Sequence, residues 1–304
     1  MDDRIGQFLH FLSADKGSSE NTIAAYRNDL GQFQTFLSTL SLNGHPTDWR
    51  RITTDAIVSY VLELKKRRYA EASVARKVAA VKSFFQFLHA EGAIPRNPTE
   101  SLASPHVGKS LPRPLTVQQI DELLEQPKKR TTPESFRDQA MMELLYATGL
   151  RVTELVSLDL DSISLDSPRP HVRCLGKGAK ERTIPIYEQA VSALVAYLND
   201  GRARLVKNKK ERALFVNRRG ERLTRQGFWL ILRQYAKEAG ISEPVTPHSL
   251  RHSFATHMLR GGAPLRNVQE LLGHANISTT QVYTQITDDH VRRVYEHAHP
   301  RARA

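Results

Sequence analysis

The 304-residue chain predicts a mainly α-helical protein with a small antiparallel β-sheet, arranged as two domains. Three observations carry that expectation. Apolar residues recur at three- and four-residue spacing through most of the chain, as they do on the buried stripe of a helix. One segment, RPHVRCLGKGAKERTIPIY, instead reads as two short strands around a glycine turn at Gly176 to Ala179. Between residues 93 and 114 five prolines, Pro95, Pro98, Pro105, Pro112 and Pro114, forbid a continuing helix and mark an interdomain linker. A chain of this length also exceeds what one core usually serves.

Residues 1–92 predict a four-helix domain. Ile5, Phe8, Leu9 and Leu12 mark the first helix. Ile23, Tyr26, Leu30, Phe33 and Leu37 mark the second, with Ser19 as its cap. The third starts near Thr54 and runs through Ile57, Val58, Val61, Leu62 and Leu64. The fourth starts near Ser73 and runs through Val74, Val78, Val81, Phe84, Phe85 and Leu88. From Leu115 to the end the pattern is mixed, and helices are expected at 117–126, 135–147, 188–199, 225–239, 247–260, 264–272 and 278–285. Gly273 follows the run Val268, Leu271, Leu272 as a glycine past a helix end does. Ser278 with Gln281 fits a capping box that opens the next helix and places Tyr283 on its second turn.

Lysine and arginine number 44 against 32 aspartates and glutamates, a net charge of +12. Residues 1–108 hold 13 basic and 11 acidic side chains and the remainder holds 31 and 21, so the excess lies mainly in the second domain. A basic, well-mixed chain suits a polyanionic partner, DNA or RNA, and a soluble basic enzyme is the plain alternative. The N-terminus MDDRIGQFLHFLSADK is acidic and amphipathic, unlike a secretory signal, and no apolar run is long enough to span a bilayer. The single cysteine, Cys174, excludes an internal disulfide framework and a cysteine zinc cluster. Cytoplasm is the expected compartment.

Four segments carry candidate chemistry. In YATGLRVTEL, Arg151 follows Gly149 at a helix start and Glu154 follows it, either positioning it or forming a structural ion pair. In LGKGAKERT, Lys177 and Lys180 flank a turn that lets an ammonium approach a ligand. In VTPHSLRHSFATHM, Thr246 caps, Pro247 takes the first helical position, and His248 and Arg251 share a face. His248 and His252 have the spacing of a metal-binding pair, but Arg251 suits a dication poorly, no glutamate lies between them and His257 is off the face. Donors at a helix N-terminus suit an anion instead, and no metal is expected. The fourth segment is GHANISTTQVYT, with His274 and Tyr283.

ATGLRVTEL, GKGAKER, HSLRH and LGHANISTTQVYT, in this order and at these separations, resemble the signature of the tyrosine recombinases, the phage-integrase family, over nearly the whole chain. Compact length and the ending HPRARA are most similar to the bacterial Xer branch that resolves chromosome dimers, D-type rather than C-type. The resemblance implies a two-domain C-shaped DNA clamp and a catalytic set of Arg151, Lys177, His248, Arg251, His274 and Tyr283. Tyr283 is the implied nucleophile, Arg151 and Arg251 the implied phosphate ligands, and Lys177 the implied acid for the leaving oxygen. Lys180 lies close enough to share that last role, and Lys177 is preferred because it sits between two glycines. The implied chemistry needs no cofactor, metal or ATP.

The implied partners are a double-stranded dif-like DNA site, a second, C-type Xer recombinase in a cyclic heterotetramer, and an FtsK-like DNA translocase as activator. Expected DNA contacts are Lys65, Lys66, Arg67, Arg68, Arg76, Lys77 and Lys82 in the first domain and Arg222, Arg225 and Gln226 in the second. A solvated helix face is the alternative for the first group. Residues 287–304, with Val291, Val294 and Tyr295, read as a short helix. By resemblance it docks into a neighbouring subunit; otherwise it packs on its own domain. Cys174, in an apolar strand, reads as an inert core thiol. The rival functions are a mobile-element integrase and a non-catalytic DNA-binding protein.

Overall fold

The computed structural model describes residues 3–16, 18–40, 48–102, 114–166, 168–175, 181–273 and 288–302, in two compact units, Met1–Ser110 and Leu111–Ala304. Among the described residues no helix is long and apolar enough to cross a membrane.

Unit 1 holds α1 (Arg4–Ala14), α2 (Glu20–Leu40), a 3-10 turn (Trp49–Arg51), α3 (Thr54–Lys66) and α4 (Glu71–Ala90). The starts follow side-chain capping: Asp3 accepts from the Gly6 N–H, the Ser19 hydroxyl from that of Thr22 and Thr53 from that of Ala56. Phe8, Leu30, Phe33, Ile57, Tyr60, Val78, Val81, Phe84 and Phe85 close one core. Residues expected in the linker pack onto it. Ile94 is buried, Thr54 donates to the Pro98 carbonyl at 2.8 Å, and Lys82 donates to that of Leu102 at 2.8 Å.

Unit 2 starts with α5 (Val117–Glu125), a 3-10 turn (Pro127–Lys129), α6 (Pro133–Thr148) and α7 (Val152–Ser157). A 3-10 turn (Leu160–Ser162) leads to β1 (Ile163–Ser164), β2 (His171–Leu175) and β3 (Glu181–Pro185), an antiparallel sheet in the order β1-β2-β3. Then come α8 (Glu188–Ala196), a π-helical turn (Tyr197–Arg202), α9 (Ala203–Leu205), α10 (Arg225–Glu238), α11 (Pro247–Arg260), α12 (Leu265–Leu272) and α13 (Asp288–Ala298). The helix expected to stop at 199 thus carries on through the π turn, where Arg202 donates to the carbonyls of Glu211, Ala213 and Leu214. α6 lies at the centre, with Met141, Met142, Leu144, Leu145 and Tyr146 fully buried.

In the single chain α13 seats on its own unit, one of the two arrangements expected for it. Tyr295 is buried and its hydroxyl donates to the Ala147 carbonyl at 3.0 Å. His299 lies among Tyr146, Tyr187, Phe254 and Tyr295, and Arg301 pairs with Asp121 and Glu143. The apolar face of α13 is covered within the chain, so this seat needs no second copy to bury it.

Candidate active site

Four elements of unit 2 meet at the C-terminus of α12. α6 ends at Gly149, whose left-handed backbone (φ 59°) turns the chain sharply into Arg151 at the cap of α7. Glu154, on the first turn of α7, reaches back to accept the Arg151 N–H at 2.7 Å and its Nη1 at 3.0 Å. α11 begins as its sequence predicts, with Thr246 accepting from the Ser249 N–H and Pro247 at the first position. One turn later Arg251 is buried. Its Nη1 donates to the Gly149 carbonyl at 2.5 Å and its Nη2 to the Leu272 carbonyl at 2.8 Å. Gly273, at φ 66°, ends α12, and its carbonyl accepts from Arg151 Nη2 at 3.3 Å.

A third guanidinium, absent from the expected set, completes the cluster. Arg182 sits in β3 opposite Cys174 of β2, on the same sheet face as the buried pair Val172 and Ile184. Its Nη1 and Nη2 donate to the two Glu154 carboxylate oxygens at 3.0 and 2.8 Å, and its Nε to the Leu271 carbonyl at 3.1 Å. The signal for it lay in the strand pattern. Between outward Glu181 and Thr183, position 182 faces inward, and an inward-facing arginine must have partners.

The electrostatics follow from this arrangement. Burial raises the affinity of the Glu154 carboxyl for a proton, but the Arg182 fork, the Arg151 N–H and the charges of both arginines outweigh it, so the carboxyl is held below the usual range. Burial, then the neighbouring charge of Arg151, lowers Arg251 to about 10, which leaves it cationic at neutral pH. Burial pushes the Cys174 thiol up to about 11, so it is unreactive, as its place in an apolar strand predicts. His248 is exposed on the first turn of α11. His257, off that face, is buried with Nδ1 2.8 Å from the Tyr146 hydroxyl. Lys177, Lys180, His274 and Tyr283, and the helix expected over 278–285, lie outside the described residues.

The expected DNA contacts separate into two groups. Lys65, Lys66, Arg67 and Arg68 are exposed at the C-terminal end of α3, where cations are favoured by the helix dipole, and Arg67 pairs with Glu63 at 2.7 Å. Arg225 and Gln226 are exposed on the first turn of α10. Arg76 is half exposed and pairs with Asp29. Lys77 requires correction: it is 2% exposed, on the inward stripe with Val74, Val78 and Val81, and its ammonium donates to Asp29 at 2.9 Å and Gln32 at 2.7 Å. Lys82 and Arg222 are also engaged internally. Lys82 holds the Leu102 carbonyl, while Arg222 holds those of Val156 and Leu158 together with the Asp159 carboxylate.

Comparison with known proteins agrees over the whole chain. Residues 113–290 match the phage integrase family, and residues 5–92 match the phage integrase N-terminal SAM-like domain. Tyrosine recombinase XerC of a Roseiflexus species is 53% identical over 94% of this chain and 90% of its own. Tyrosine recombinase XerD of Halalkalibacterium halodurans is 47% identical over 99% of both chains. In fold, the chain is similar to a lambda integrase dimer bound to a COC′ core site, with a TM-score of 0.68 at 19% identity, covering 94% of this chain and 99% of that one. The chain belongs to the phage integrase family, the tyrosine recombinases, which are site-specific DNA strand-exchange enzymes.

Proposed function

We propose that this recombinase acts as one of an Xer pair, resolving chromosome dimers at a dif-type duplex site in the cytoplasm. Relatives named XerC and XerD match at 53% and 47% identity, which suits either member of such a pair and not the D-type member alone. The observation that supports the chemistry best is the meeting of Arg151 and Arg251, 100 positions apart, on the last carbonyls of α12, immediately before His274.

In the proposed reaction the Tyr283 phenol gives up its proton as its oxygen attacks the scissile phosphorus. The bond from phosphorus to the 5′-oxygen breaks, leaving a 3′-phosphotyrosyl link and a free 5′-hydroxyl. A phenol with an ordinary pKa near 10 needs cationic surroundings and a proton acceptor to react at neutral pH. Arg151 and Arg251 bind the two non-bridging oxygens, because guanidinium forks match phosphate geometry and stay charged as negative charge accumulates. His248 assists proton transfer, His274 donates a hydrogen bond to the phosphate, and Lys177 protonates the departing oxygen. Rejoining reverses these steps with the energy stored in the covalent link.

The exposed ends of α3 and α10 supply phosphate contacts in this reading, through Lys65, Lys66, Arg67, Arg68, Arg225 and Gln226. The partners are a second Xer recombinase and an FtsK-like translocase. In the assembled tetramer a neighbour's α13 takes the seat that this chain fills with its own.

Incubating the protein with a nicked duplex carrying its site tests the reading. A protein–DNA adduct should appear on a denaturing gel without magnesium and disappear with Tyr283→Phe. An adduct that survives that substitution, or one that requires magnesium, refutes the mechanism.

A further inference from the structure

We propose that Arg182 is a positioning residue for strand cleavage: it occupies the Glu154 carboxylate so that Arg151 is aimed without being neutralised, and it pins the end of α12. The inference rests on the reading of Arg151 as a phosphate ligand.

Glu154 accepts four hydrogen bonds. Two come from Arg182, at 3.0 and 2.8 Å, and two from the Arg151 backbone and side chain, at 2.7 and 3.0 Å. A carboxylate has about four lone-pair sites, so none remains free. Each arginine uses Glu154 differently. Arg182 presents both Nη atoms to it and its Nε to Leu271, and its side chain is only 13% exposed, so little of it faces solvent. Arg151 touches the carboxylate with one Nη only, and its side chain is 42% exposed. The bidentate partner absorbs the carboxylate charge, and the one-point partner keeps most of its own.

Without Arg182 the geometry changes in a definite direction. Glu154 would have two lone pairs to refill, and the nearest fork is Arg151. A bidentate Arg151–Glu154 pair turns that guanidinium away from the open side and cancels its charge where a phosphate would need it. The C-terminus of α12 loses its bond at Leu271 at the same time. Gly273 shows how closely this region is built on Arg182, since a Cβ added there would stand 3.0 Å from Arg182 Nη1.

The test is a cleavage-rate cycle on the nicked duplex, with Arg182→Met measured in the wild-type and in an Arg151→Lys background, and DNA affinity measured in parallel. In the wild-type background Arg182→Met should slow adduct formation about 100-fold, as expected for a displacement of about 1 Å in a reacting constellation, while DNA affinity changes less than about 3-fold. In the Arg151→Lys background the further loss should be under about 3-fold, because the group that Arg182 serves is already changed. Equal losses in the two backgrounds, or a loss of DNA affinity equal to the loss of rate, overturn the proposal. Arg182→Lys keeps the charge but not the fork and should lose rate in the same direction. If Arg182→Met does not fold, an Arg182→Lys rate equal to wild type overturns the proposal. Absence of any adduct with the unmodified protein overturns the recombinase mechanism itself, a different result from an adduct that forms regardless of residue 182.

Discussion

Gly149→Ala is the perturbation whose cost the structure specifies most closely. Gly149 sits at φ 59°, and a Cβ built there lies 2.4 Å from Phe254 Cδ1, 2.8 Å from Phe254 Cε1 and 2.9 Å from Leu272 Cδ2. Phe254 is fully buried and Leu272 nearly so, so neither can swing into solvent. Two costs add. A non-glycine residue in the left-handed region costs about 1–2 kcal/mol, and overpacking a filled core costs about 1–3 kcal/mol. Gly240→Ala separates them. Gly240 lies in the same unit at φ 70° with nothing within 4 Å of its Cβ, so it bears the backbone cost alone. The loss of unfolded-chain freedom is common to both substitutions and cancels. Urea unfolding should therefore place Gly149→Ala about 1–3 kcal/mol below Gly240→Ala. Midpoints that give the same stability within about 0.5 kcal/mol would refute the packing argument. Because the Gly149 carbonyl receives Arg251, the alanine variant should also lose cleavage rate, which Gly240→Ala should not.

Other outcomes follow from the same contacts. Burial holds His299 at about 3, so it is neutral when folded and titrates near its ordinary value of about 6.5 when unfolded. A depressed histidine destabilises the fold as pH falls below the unfolded value. Between pH 7.5 and 5.5 the native protein should lose about 1.4 kcal/mol more in urea unfolding than His299→Gln does. Arg301→Met leaves Glu143 buried with only Tyr187 donating to its carboxylate and should cost about 3 kcal/mol, less in Glu143→Gln, by the same measurement. Lys65→Ala with Lys66→Ala should lower the slope of log affinity against log salt by about 0.9 for each phosphate left without its lysine. Lys77→Met should leave that slope unchanged and destabilise unit 1, since it leaves the buried Asp29 with the half-exposed Arg76 as its remaining cation.

Much of this architecture is legible in the sequence because local rules and tertiary packing agree. Thr246 and Pro247 open α11 as their side chains require, and Gly273 ends α12 in the left-handed conformation that only glycine adopts cheaply. What escapes has a physical reason in each case. Lys77 looks basic and therefore external, yet its three- and four-residue spacing from Val74 and Val81 puts it on the buried stripe; the partner that makes this tolerable, Asp29, is 48 positions away. Arg222 likewise caps carbonyls 64 and 66 positions distant, which no local pattern announces. β1 has two residues, too few for an alternation to show. The seat of α13 depends on His299 and Arg301 finding Tyr146, Asp121 and Glu143, long-range polar contacts that helical periodicity does not encode.

The central cluster must hold three guanidiniums together before any phosphate arrives, and like charges in one place repel. The structure meets this with two kinds of counter-charge. Leu271, Leu272 and Gly273 present the last carbonyls of α12, the negative end of its dipole, to Arg182, Arg251 and Arg151 respectively. Among the described residues, Glu154 supplies the one full negative charge in direct contact with Arg151 and Arg182. Three guanidiniums against one carboxylate leave a surplus of two positive charges. On the proposed mechanism that surplus, before Lys177 is added, already exceeds the single charge of a phosphodiester, so part of it meets only the charge gained in the pentacoordinate transition state. A site charged for the transition state and not for the substrate lowers the barrier instead of merely tightening binding. The same count says why Glu154 is tolerated beside a phosphate site. Without it the surplus among the three arginines would be three, and they would be held apart by their own repulsion.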